Sequence, residues 1–219
     1  VVGLAGTRRL TSQAEAIELS GVGERLGVHT TYGWETDPKR LVFTASRYKF
    51  VAKLLEGKGS VLEVGCGDGF FSRVVLQHVG RLHAVDVNRG YIRSLYRNHP
   101  KGSRWRIWAN DWDILEGPLS GFDAVYSLDV YEHLVEEDRF LSNLAGCAPV
   151  CVVGCPSLES QVYASEISKL EHVNCKTKEG LRQSMSRHFK QVFMFGMNDE
   201  VVHTGMMPAY LFALGVNAT

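Results

Sequence analysis

The sequence has no charge excess with which to attract a polyanion: Lys and Arg together number 24, and so do Asp and Glu. A broad single-sign field for nucleic acid is therefore not expected. No apolar run reaches the length needed to span a bilayer. No basic, apolar and small-residue pattern opens the chain as a secretory leader would, and a start at Val1 rather than Met reads as trimmed. Cysteine is scarce and odd in number, at five. That argues against a disulfide framework and for reduced thiols in a cytoplasm. Repeats and low-complexity linkers are absent. With 219 residues and 45% hydrophobic content, the chain is expected to form a single domain with a full core.

One cysteine pattern invites a metal. In CAPVCVVGC, Cys147, Cys151 and Cys155 recur at every fourth position. The three-cysteine loop of an iron–sulfur radical enzyme needs a shorter last gap, and the segment reads as a buried strand that would scatter the thiols over both faces. Packed core cysteines are the expectation.

What is present is a rhythm. Strand-like runs fall at 60–64, 81–87, 104–109, 122–128 and 150–155, with amphipathic helical patterns at 70–79, 88–99 and 136–146 between them. This alternation predicts a doubly wound α/β sheet, mostly parallel, with helices on both faces. After residue 155 a polar stretch (156–176) leads to a helix at 177–188. Two further strands, 189–197 and 208–216, then pair antiparallel, which makes seven in all. Before residue 58, PKRLVFTASRYKFVAKLLEG reads as a helix opened by Pro38 and stopped by Gly57.

The most informative stretch is VLEVGCGDGFFS (61–72), where glycines alternate with Cys66 and Asp68 directly after a strand. In a doubly wound sheet this is the carboxyl edge, where ligands bind. A dinucleotide fingerprint would place its third glycine at position 70, which is Phe70, and no Lys-Ser/Thr follows as in a phosphate-binding loop. The spacing is instead Glu63-x-Gly65-x-Gly67-x-Gly69.

That pattern resembles the first motif of the class I S-adenosylmethionine (SAM)-dependent methyltransferases, whose fold is Rossmann-like. Further matches follow in order. Asp86 ends the second strand, Asn110-Asp111-Trp112 follows the third, and Asp129-Val130-Tyr131-Glu132-His133-Leu134 follows the fourth. The resemblance implies that Glu63 orients the SAM ammonium and that Gly65, Cys66, Gly67 and Gly69 leave main chain bare for its carboxypropyl end. Asp86, with Val87 beside it, would accept the ribose hydroxyls. Asp111 would receive the adenine amino group, with Trp112 covering the ring and Leu128 closing the fourth strand. Cys66 reads as a small wall residue, since no histidine adjoins it in sequence to lower its pKa.

Acceptor chemistry must come from loops on the same edge, which carry Glu171, Asp199, Glu200 and His203 beside the groups after the fourth strand. Asp129, Glu132, His133 and the later His172 resemble the divalent-metal set of the small-RNA 2′-O-methyltransferases and the ubiquinone-pathway O-methyltransferases. A metal such as Mg²⁺ would there polarise the acceptor hydroxyl. Asp129 stands where that set has Glu, one methylene shorter. The metal-free reading makes His172 or His133 the general base beside Glu132. Both stay open.

The turn after the fourth strand lacks N/D-P-P-Y/F, which argues against planar amino acceptors. Arg89, Arg93 and Arg97 share a helix face, and Arg104, Trp105, Arg106 and Trp108 follow. With zero net charge that face reads as solvated and the tryptophans as buried on one sheet face. The favoured expectation is a small-molecule hydroxyl methyltransferase, monomeric or homodimeric, that releases S-adenosylhomocysteine (SAH). An RNA 2′-O-methyltransferase and a non-catalytic SAM-binding subunit are the alternatives. Residues 1–58 would form a helical lid, 59–155 the SAM core, and 156–219 the substrate-side excursion and final strands. Tyr32, Trp34 and Tyr163 are candidate pocket walls.

Overall fold

The computed structural model describes residues 26–98, 107–205 and 207–219. Two helices come first, α1 (Val28–Thr36) and α2 (Pro38–Leu54), the second opened by Pro38 as expected. Then follow β1 (Ser60–Val64), α3 (Ser72–Leu76), β2 (Arg81–Val85), α4 (Arg89–Asn98), β3 (Ile107–Asn110) and β4 (Ala124–Leu128). The second half holds α5 (Glu137–Cys147), β5 (Val150–Pro156), α6 (Glu166–Glu171), α7 (Lys178–Ser186), β6 (Phe189–Asn198), β7 (Val201–His203) and β8 (Tyr210–Ala218).

The strands form one sheet in the order β3-β2-β1-β4-β5-β8-β6-β7. β3 through β5 run parallel, while β8 lies antiparallel between β5 and β6. All seven expected strands are found, and an eighth, β7, turns back on β6 from within the expected 198–205 loop. The chain leaves β1 for β2 on one side and later places β4 on the other. The glycine loop after β1 therefore lies at the switch point of the sheet, where the strand ends diverge into a crevice.

Every residue of β1 and β4 is buried because helices cover both faces. On one face Leu62, Val64, Val125 and Val153 pack with Phe140, Leu141 and Leu144 of α5 and Leu181 and Met185 of α7. On the other, Val61, Tyr126 and Val152 pack with Tyr48, Val51 and Ala52 of α2. The period of two along β1 sends Glu63 to the α2 face, a polar group among apolar neighbours.

Two expectations need correction. Cys147 closes α5, while Cys151 and Cys155 lie two strand periods apart on one face of β5. All three share a single core cluster as buried free thiols, rather than being scattered. Trp108 is 67% exposed on β3, and its neighbours Ile107 and Ala109 fill the buried face instead. Arg104, Trp105 and Arg106 lie outside the described residues. On α4, Ile92 and Leu95 are buried, and Arg89, Arg93 and Arg97 are solvated as anticipated.

Candidate active site

The glycine loop is fixed by its neighbours. Gly65 and Cys66 donate their N–H groups to Val85 O at 2.8 and 3.1 Å, and Gly67 donates to Asp86 Oδ2 at 2.9 Å. Gly65, Gly67 and Gly69 have φ of 81°, 54° and 71°, the left-handed region that a Cβ penalises. At Gly65 the reason is also packing, since a Cβ would come within 2.1 Å of Val130 Cγ2. At Gly67 a Cβ would meet nothing nearer than His29 Nδ1 at 3.7 Å, so that position opens onto space.

The space is a cavity of about 300 Å³ between the strand ends and the two leading helices. Gly65, Cys66, Gly67, Asp86 and Leu128 line it. Asp86 Oδ1 also accepts from Asn88 N at 2.8 Å, so this carboxylate braces the loop and faces the cavity together. Burial pushes the Cys66 thiol up, which fits a wall residue and not a nucleophile.

Other expected contacts lie elsewhere. Val87 is exposed, and Asp111 pairs at 2.6 Å with Arg89 outside the cavity wall. Trp112 packs against the α5-side core and donates Nε1–H to Gly117 O at 3.3 Å. Gly69 is held against Leu95 of α4. Of the proposed aromatic walls only Tyr32 lines the cavity, while Trp34 and Tyr163 are turned to solvent.

Glu63 stands one layer beneath the wall. Its Oε1 accepts from Tyr48 OH at 2.8 Å, and Tyr48 itself lines the cavity. Burial pushes its carboxyl up to about 7, a rise that the Tyr48 hydroxyl partly offsets. Neither Ser72 nor Tyr126 reaches hydrogen-bond geometry, and Glu63 Oε2 is left without a partner.

The sequence reading missed the groups that bring α1 over the loop. Asp68, buried, accepts from Thr30 N at 2.8 Å and from Thr30 Oγ1 at 3.0 Å. Val28 N donates to Ser94 Oγ of α4 at 3.2 Å. Asp68 was visible inside the glycine loop, but nothing local tied it to position 30.

Beyond Leu128, Asp129 and Val130 line the cavity, and the chain then enters the turn 131–133. Glu132 is buried, with Oε2 unpartnered and its carboxyl raised by burial and by Asp129. His133 Nδ1 lies 3.1 Å from Glu171 O, and His172 Nδ1 lies 2.8 Å from Gln161 Oε1. Both partners are carbonyl oxygens that only accept, so each Nδ1 carries the proton, and His133 Nε2 is turned toward Glu132 Oε1, 3.9 Å away. Burial and the neighbouring His133 ring lower His172, which keeps it neutral. Ligand atoms of Glu132, His133 and His172 lie within 4.8 Å of one another, a group able to hold a metal. Asp129 is not among them. Its φ is 55°, and both its carboxylate oxygens lie 3.0 Å from Arg47 Nη1. Of the other acids and histidines on this edge, Asp199 and Glu200 lie in the β6–β7 turn, and His203 accepts locally from Gly205 N at 3.1 Å.

Comparison with known proteins agrees with this geometry. Residues 61–150 match the family model described as a methyltransferase domain. Over that span the chain is similar to a methyltransferase domain, and its fold is that of the class I SAM-dependent methyltransferases. It is 28% identical over 102 residues to a ubiquinone biosynthesis O-methyltransferase of Coxiella burnetii, covering 45% of this chain and 43% of that protein. The chain thus spans less than half the length of that curated relative. Among solved structures, the methyltransferase domain of bacterial CtHen1-C superposes with a TM-score of 0.68 at 17% identity, covering 81% of this chain and all of that one. The N-methyltransferase NodS of Bradyrhizobium japonicum, solved with SAH, gives 0.58 at 19% identity, covering 84% and 90%. The superfamily binds SAM and releases SAH. Among the described residues, no helix is long and apolar enough to cross a membrane.

Proposed function

We propose that this chain transfers the methyl group of SAM to a hydroxyl of a small-molecule acceptor. One observation carries the reading: the cavity over the bare glycine loop is walled at one end by Asp129 and Val130, and the chain passes from these directly to Glu132 and His133, which cluster with His172. The residues suit SAM. Open space faces Gly67, Asp86 presents a carboxylate at the strand end, and the unpartnered Glu63 oxygen lies beneath Tyr48.

SAM supplies an electrophilic methyl on a sulfonium. An O–CH₃ bond forms as S–CH₃ breaks, and the sulfur keeps the bonding pair as the thioether of SAH. The protein's work is alignment and water exclusion, for which α1 and α2 enclose the cavity. The acceptor proton must leave, and His172 Nε2, on a ring held neutral, can take it.

A second reading is favoured by a specific observation. The Nδ1 contacts of His133 and His172 are those that fix the tautomer of metal-ligating imidazoles. Glu132, His133 and His172 would hold a divalent metal, which when bound lowers the acceptor's pKa.

Incubation with labelled SAM and a panel of hydroxyl, amine and RNA acceptors tests both. O-methylated small-molecule product is expected. Transfer to amines alone, or salt-sensitive transfer to RNA, would replace the acceptor class, and SAM binding without transfer would support a binding subunit. Chelator-treated protein that turns over undiminished would remove the metal reading.

A further inference from the structure

The Arg47–Asp129 pair separates one acid from the candidate metal group. Arg47 leaves α2 at the height of the acceptor end, and its guanidinium carbon sits 3.9 Å above the centroid of the buried Tyr210 ring. Tyr210 begins β8 opposite Pro156 and Met197, so ring, guanidinium and carboxylate are stacked at the carboxyl edge of the sheet. The Asp129 main chain is pinned by its N–H donating to Gly154 O at 3.0 Å. Arg47 is therefore held from three sides: by its own helix, by an aromatic face and by a carboxylate. Glu132, one turn on, is buried with Oε2 unpartnered, and its other oxygen, Oε1, lies 3.9 Å from His133 Nε2.

We propose that Arg47 is a built-in cation that keeps Asp129 out of the metal set, so that a divalent metal is held by Glu132, His133 and His172 alone and less tightly than four ligands would hold it. The inference rests on the metal-assisted reading above. Asp129 could join the set only by surrendering Arg47, which would leave a guanidinium near the incoming dication with its partner gone. Like charges in a poorly solvated site repel strongly. Neutralising Asp129 also leaves one carboxylate charge facing the metal. Two imidazoles with one carboxylate form a donor set suited to Zn²⁺ and poorly suited to Mg²⁺, which prefers oxygen ligands. This departs from the Mg²⁺ expected on resemblance.

Titration calorimetry of the full chain with Zn²⁺ and Mg²⁺, without SAM, tests it. Zn²⁺ should bind more tightly than Mg²⁺. Arg47→Gln should tighten Zn²⁺ binding by about tenfold or more, because Asp129 becomes a ligand. Asp129→Asn leaves the Arg47 charge unpaired and should weaken binding severalfold at most, far less than loss of a ligand, and the double variant should return to the wild-type affinity. Arg47→Lys, which keeps the charge, should behave as wild type, with a thermal melt showing that each variant folds. His172→Ala should remove binding in every background. If Asp129→Asn weakens wild-type binding as much as His172→Ala does, Asp129 is a ligand and the proposal is wrong. It is also wrong if folded Arg47→Gln binds no tighter. Zn²⁺ bound by no variant, or bound independently of His172, would overturn the metal reading itself.

Discussion

The Tyr48 hydroxyl donates to Glu63 Oε1 at 2.8 Å, so a residue of the cavity wall and a buried carboxyl of the first strand act as one unit. The carboxyl must be ionised to attract an ammonium, yet burial pushes it up to about 7. Affinity for SAH should therefore rise as pH increases from 6 to 8, by up to tenfold per pH unit on the acid side. Glu63→Gln should bind weakly with no such slope. Stability runs the other way. The folded state holds this proton to a higher pH than the unfolded chain, whose ordinary value is 4.5. The contribution is complete below 4.5 and is lost as pH rises through about 7, on the order of 3 kcal/mol over the window. Denaturant melts of wild type and Glu63→Gln across that range should differ in slope. Parallel slopes would mean that Glu63 is ionised throughout.

The parallel half of the sheet was legible because each of its strands and helices carries its own period, and the glycine spacing alone marked the switch point. Tertiary partnerships were not legible. Arg47, Tyr48 and Thr30 lie on helices whose polar groups look solvated in sequence, yet they reach Asp129, Glu63 and Asp68 across separations of 82, 15 and 38 positions. Trp108 misled for a related reason. Period two along a strand shows which residues share a face but not which face is covered, and Ile107 and Ala109 took the buried one. Asp129 could be located as the residue after β4, but its diversion to Arg47 depends on a positive φ that nothing in DVYEHL announces.

Asp86 has two duties, and separating them is a second test. It accepts from Gly67 N and Asn88 N while facing the cavity. Asp86→Ala should weaken SAH binding by roughly 1–3 kcal/mol, as for loss of hydrogen bonds to a charged acceptor. Asp86→Asn keeps one oxygen for Gly67 N but loses the charge, and should fall between the two. Calorimetry showing unchanged affinity in the alanine variant would remove Asp86 from the binding site.

α1 is tied over the glycine loop chiefly by Thr30 on Asp68. Asp68→Ala should release that helix without melting the sheet. Hydrogen exchange at residues 28–36 should then quicken strongly while β1 and β4 stay protected, and SAH should dissociate faster. Exchange that rises equally in the strands would show that Asp68 supports the whole fold and not the covering helix.

Two glycines of one loop should fail in different ways. Gly65 has φ 81° and no room, since an added Cβ would lie 2.1 Å from Val130 Cγ2. Gly65→Ala therefore carries both a backbone cost of about 1–2 kcal/mol and a steric one. Pairing it with Val130→Ala should recover only the steric part, which a double-mutant cycle of denaturant melts can measure. Gly67, at φ 54°, is different: an added Cβ would have its nearest neighbour 3.7 Å away, so the new side chain would project toward the cavity and not into the core. Gly67→Val should carry the backbone cost and still fold, but it should bind no SAH. If Gly67→Val binds SAH as well as wild type does, the ligand does not lie across this main chain, and the space beside it serves something else.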